Sequence, residues 1–189
     1  MGQDRSALLE GLGVEVVHLP YELHPEIPAG GRTIRPDGRL APTFARIAEE
    51  CARTGRPFRA PTRMPNTRLA LETAEWVRLT EPHAAAAVHS GLFRAHFAEG
   101  LEIDDPQVVD QIVDAAGASV DAVRAARADG RAGAAVDAAM REARDLAVTS
   151  TPTWVLEDGF AIPGALDPHT LERWVRKIQA RAAQANAET

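Results

Sequence analysis

The chain has 189 residues, a net charge of −6 and a pI near 5.5, with 45% hydrophobic and 25% charged residues. This length suits one domain with a sizeable insertion, and the acidic balance without a basic stripe counts against nucleic acid as a partner. No apolar run approaches the roughly 20 residues of a membrane span, and the single cysteine, Cys51, excludes an internal disulfide framework. A soluble protein of the reducing cytoplasm is expected.

Residues 3–12 read as a helix with Leu8, Leu9 and Leu12 on one side, stopped by Gly13. Val14 to Leu19 (VEVVHL) reads as a strand. The Pro- and Gly-rich run from Pro20 to Pro42 reads as a long surface loop, a kind of segment that is usually functional or mobile. A helix follows, with Phe44, Ile47, Ala48 and Cys51 on one face and Gly55 and Pro57 ending it.

Asn66 is placed to cap the next helix, which carries Leu69, Thr73, Trp76 and Val77. Pro82 fits the first turn of another, running past Val88, Leu92 and Phe97 to Gly100. Asp104-Asp105-Pro106 opens a helix whose Val109, Ile112 and Val113 face inward, and both aspartates read as capping residues. Ser119 caps a short helix to about Ala128, and Ala134–Ala147 forms a further, alanine-rich one. Then come a strand at Thr153–Leu156, a turn at Glu157-Asp158-Gly159, a second apolar strand, and a terminal amphipathic helix opened by Asp167-Pro168. The last dozen residues are expected to fray.

Several residues invite a functional role and are better explained otherwise. Cys51 sits on an apolar helix face and reads as an inert core cysteine. His83, His89 and His96 share one helix, but no i, i+3 or i, i+4 pair of metal ligands occurs, so no metal is expected. Trp76, Trp154 and Trp174 read as core residues. Met1-Gly2 with Ser6 fits a myristoylation pattern too short to carry weight. No phosphate-binding glycine motif and no nucleophile elbow is present.

Three stretches together resemble the FrnE-like subgroup of the DsbA-like thioredoxin-fold family. They are Val16–Glu26 (VVHLPYELHPE), Pro65-Asn66-Thr67-Arg68 through Trp76, and Thr151-Pro152-Thr153-Trp154 followed by Gly164-Ala165 and Leu171. The resemblance implies an α/β thioredoxin fold over residues 1–189. A helical insertion would occupy residues 43–147, and residues 1–42 and 148–183 would make up the thioredoxin-like region. It implies that Pro152 is the fold's cis-proline and that Thr151 presents its backbone to an extended peptide or thiol ligand. His24 would line the same face, so Thr151, Pro152 and His24 are the expected substrate-binding residues.

Family members carry a Cys-x-x-Cys at the start of their first helix, where free N–H groups and the helix dipole stabilise the attacking thiolate. This chain has no such pair and lacks the first strand, so no catalytic residue can be named. Gly2-Gln3 with Ser6–Leu9 resembles the helix just after that motif, and the expectation is an N-terminus trimmed or assigned too late. The alternative is a shortened protein that closes its sheet without the middle strand or borrows an equivalent from a second chain in a homodimer. The implied activity is thiol–disulfide exchange or disulfide isomerisation on protein or small-molecule thiols, with no resident cofactor. The alternatives are a glutathione-using isomerase or transferase, similar to kappa-class glutathione transferases and 2-hydroxychromene-2-carboxylate isomerases, and a non-catalytic binding module.

Overall fold

A computed structural model describes residues 2–156 and 159–187. Its elements in chain order are α1 (Gly2–Gly11), β1 (Arg32–Thr33), α2 (Ala41–Arg53), β2 (Arg63–Met64), α3 (Arg68–Thr80) and α4 (Pro82–Arg94). A π-helical turn at Ala95–Glu99 follows, then α5 (Pro106–Ala115), α6 (Val120–Ala128), α7 (Arg131–Asp145), β3 (Thr153–Val155), β4 (Ala161–Pro163) and α8 (Pro168–Ala187). They divide into two compact units, Leu19–Ala147 and Met1–His18 with Val148–Thr189.

The Leu19–Ala147 unit is a helical bundle built on valines. Val77, Val88, Val109, Val113 and Val123 are wholly inaccessible and form one cluster, joined by Leu92 and Ile103. The spacing of Val109 and Val113, four apart, stacks them on one side of α5. Side-chain caps set where two helices begin. Asp105 accepts from the Gln107 N–H at 2.8 Å, and Ser119 Oγ accepts from the Ala122 N–H at 3.2 Å. Close packing needs Gly91 in α4, where a Cβ would stand 2.6 Å from Ile112 Cγ2. One buried carboxylate anchors a charge network: Asp110 accepts from Arg127 Nη2 at 2.6 Å and from the exposed Arg124 Nε at 2.7 Å.

The other unit is small. Leu9 of α1 meets Leu171 and Val175 of α8, with Val14, Val16, Trp154 and Leu166 packed around them. Arg5 is buried and its Nε donates to the Leu166 carbonyl at 2.9 Å, fastening α1 to the chain ahead of α8. β3 and β4 form an antiparallel hairpin in the register Thr153↔Pro163, Trp154↔Ile162, Val155↔Ala161.

The structure departs from the sequence-based expectations in several places. Val14–Leu19 forms no strand, because among the described residues no strand runs beside it to share a ladder. Conversely, the long loop contributes β1, a two-residue pairing with β2 that no sequence pattern signals, and helix α2 already begins at Ala41. Asn66 lies one residue outside the α3 cap position. Its Oδ1 accepts from the Arg68 N–H at 2.9 Å while its Nδ2 donates to the Ile27 carbonyl at 2.6 Å, so it ties loop to helix. Asp104 does not cap α5 but pairs with Arg63. Trp174 is 43% exposed and is not a core residue, since Leu171 and Val175 occupy the inward side of α8. Glu157 and Asp158 of the expected turn lie outside the described residues, as do Glu188 and Thr189 of the expected frayed end; Gly159 donates to the Leu156 carbonyl at 2.9 Å.

Candidate functional site at the Thr151–Pro152 turn

The sequence TSTPTW places hydroxyls on both sides of a proline just ahead of β3, and the structure uses them to build a turn. Thr153 Oγ1 donates to the Ser150 carbonyl at 2.7 Å and lies 3.4 Å from Ser150 Oγ. The Pro152 carbonyl accepts from the Gly164 N–H at 2.7 Å, which extends the hairpin by one rung past Pro163. Trp154 Nε1 donates to the Gly164 carbonyl at 3.2 Å, so both backbone groups of Gly164 hold the turn. Gly164 has φ +92°, a backbone conformation that favours glycine. The Thr151–Pro152 peptide bond is cis.

Between these anchored groups Thr151 is left open. It is exposed, and among the described residues nothing hydrogen-bonds its N–H, carbonyl or hydroxyl. β3 pairs with β4 on one edge only among the described residues. An edge that offers unpaired N–H and C=O groups is a template for an extended peptide. No titratable side chain stands in this turn, so the arrangement can bind and orient but cannot move a proton. Ser150, which helps shape it, is not singled out in the sequence, and Thr153 is read there only as the first strand residue; the run of hydroxyls in Thr149–Thr153 was the available signal.

His24 belongs to the other unit, within the long loop. Its Nδ1 lies 3.1 Å from Glu26 Oε1 in an exposed pair. The Glu26 carboxyl is held below its ordinary value, first by a hydrogen bond from its own backbone N–H and further by His24. Cys51 is buried in α2. His96 is half-buried edge-on to Phe97 with ring centroids 4.6 Å apart, and burial lowers its pKa from the ordinary 6.5. Among the described residues no group of three His, Cys, Asp or Glu could hold a metal ion, and no helix is long and apolar enough to cross a membrane.

The DSBA-like thioredoxin domain family matches residues 3–176 of the chain. No curated protein matches it. Among solved structures, a probable DsbA oxidoreductase from Streptomyces coelicolor is 21% identical with a TM-score of 0.78, over 95% of this chain and 81% of that one. A 2-hydroxychromene-2-carboxylate isomerase is 19% identical with a TM-score of 0.71, over 98% of this chain and 90% of that one. At these identities both structures speak for the fold.

Proposed function

The chain belongs to the DSBA-like thioredoxin domain family, and from that premise we propose that it acts in thiol–disulfide exchange, binding the substrate's backbone at Thr151. The observation that carries this reading is the open backbone of Thr151 in a turn where Pro152 and Gly164 are already locked together. An extended substrate segment laid against Thr151 would gain main-chain hydrogen bonds independent of its sequence, which suits an enzyme that meets many disulfides.

The exchange itself needs two cysteines. A thiolate attacks one sulfur of the substrate disulfide, the new S–S bond forms as the old one breaks, and the departing sulfur leaves as a thiolate that takes up a proton. The second cysteine then attacks the mixed disulfide and releases the other thiol. These 189 residues contain one cysteine, and it is buried. One buried cysteine cannot make both attacks, so these residues supply the substrate-binding half of the exchange and not its thiols. The compartment we propose is the cytoplasm.

The test is an NMR titration of the full chain with an extended peptide containing a disulfide. Shifts centred on the Thr151 and Thr153 amides are expected, together with a loss of about tenfold in affinity, roughly 1.4 kcal/mol, when the peptide residue opposite Thr151 is N-methylated. Shifts elsewhere only, or indifference to N-methylation, would refute backbone recognition. Retention on immobilised glutathione with no response to the peptide would select the glutathione-using alternative. Peptide binding at Thr151 with no acceleration of exchange between the peptide disulfide and an added thiol would select the non-catalytic binding module.

A further inference from the structure

We infer that the helical unit carries a second binding site, a cavity over α2 that takes a small apolar carboxylate, such as an aryl-alkanoic acid. It does not depend on the thiol–disulfide reading, since all of its lining residues lie within Ile34–Thr62.

The inference starts from the face of α2. Ala41, Phe44, Ala45 and Ala48 fall at i, i+3, i+4 and i+7, so they line one side of the helix. In a finished core that side would be covered. Here Cys51 is the buried residue of α2, Phe44 and Ile47 are half-buried, and Ala45 and Ala48 are exposed. Three alanines leave room where larger side chains would close the surface, and a cavity of about 390 Å³ opens above them. That volume lies in the usual range for small-molecule sites, about 300–1,000 Å³.

The walls are preformed. Ile34 and Pro36, ahead of α2, and Phe58 and Pro61, after it, complete the lining. The Ile34 N–H donates to the Thr62 carbonyl at 2.8 Å, continuing the β1–β2 pairing, so the two lining segments are bonded to each other. Phe58 is held between Phe44 and Phe97, with ring centroids 6.5 Å and 6.3 Å away. A planar apolar group entering here would meet aromatic faces and alanine methyls without first ordering them, which spares much of the cost of binding.

Charge selects the class of ligand. Among the described residues Arg35 is the single charged residue in the lining, and no carboxylate lines the cavity. Arg35 is exposed and makes no ion pair among the described residues. Thr62 adds a hydroxyl. A guanidinium at the edge of an apolar chamber matches a carboxylate on an apolar stem, because its fork of N–H donors fits the two carboxylate oxygens. An amine would meet like charge, and a neutral apolar molecule would leave the guanidinium unused.

The experiment uses the full chain and a matched pair of probes, 4-phenylbutyrate and its neutral amide, titrated by calorimetry with the Ala45 and Ala48 methyl signals followed by NMR. The acid is expected to bind at least tenfold tighter than the amide. Arg35→Gln should erase that preference, and Ala45→Leu should weaken both probes by more than tenfold with the far-UV spectrum unchanged. Ala48→Met serves the same purpose should Ala45→Leu fail to fold. Equal binding of acid and amide, or acid binding that survives both Arg35→Gln and a filled cavity, overturns the assignment. So does the absence of any methyl shift with millimolar acid, or a dimer that Ala45→Leu converts to monomer, which would make this face an interface between copies.

Discussion

Removal of the Asp110 carboxylate tests the internal electrostatics of the helical unit most directly. Asp110 is buried at 7% relative exposure and joins Arg127, whose side chain is 11% exposed, to Arg124, whose side chain is 58% exposed. In Asp110→Ala the Arg127 guanidinium stays desolvated and, among the described residues, keeps one neutral partner, Thr73 Oγ1 at 3.2 Å. Breaking a buried pair from one side costs about 3–5 kcal/mol, because the surviving charge is left without compensation. Against the roughly 5–15 kcal/mol available to a domain, that loss is a large share. Arg124→Ala should scarcely move the unfolding midpoint, since its partner retains the Arg127 bond and its own head is in water. Asp110→Ala combined with Arg127→Met removes both charges and should recover most of the loss. Urea unfolding followed by circular dichroism reads all four proteins. A loss below about 1 kcal/mol in Asp110→Ala, or no recovery in the double variant, would refute the reasoning.

Other outcomes follow from the same structure. Gly91→Ala should destabilise by about 1–3 kcal/mol, since its Cβ would stand 2.6 Å from Ile112, whereas Gly11→Ala, with nothing within 4 Å, should be neutral or stabilise by up to about 1 kcal/mol. Denaturant midpoints separate the two. His96 should titrate below 6.5 by NMR, because burial outweighs the opposing pull of Glu102 and Asp104 and the Leu101 backbone, with Arg63 adding to the lowering. The unfolded chain then binds the proton more readily, so the stability linked to His96 is complete above pH 6.5 and falls as the pH drops through 6.5 towards the folded value; an upward shift would contradict this. Amide hydrogen exchange should be fast at Val16, Val17 and Thr151 and slow at Gly164, whose N–H is held by Pro152; slow exchange at Thr151 would show its backbone engaged.

Much of this protein was legible in its residues because the relevant forces are local. Asp105 and Ser119 announce helix starts through bonds to N–H groups two and three residues on, and the i, i+4 valines of α5 announce its inward face. Pro152 marked a strand end, since a proline cannot continue a ladder, whereas its link to Gly164 came only with the family resemblance. What the residues could not reveal rests on partners remote in sequence. Val14–Leu19 has a strand's pattern, yet a strand exists only through a neighbour's hydrogen bonds, and none of the described residues provides them. Asp104 reads as a cap until the fold brings Arg63 to it across forty-one residues. The cavity over α2 is likewise invisible in the chain, where three alanines signal only a good helix former. Tertiary structure alone decides that no side chain covers them, because volume left unfilled is a property of all the walls together.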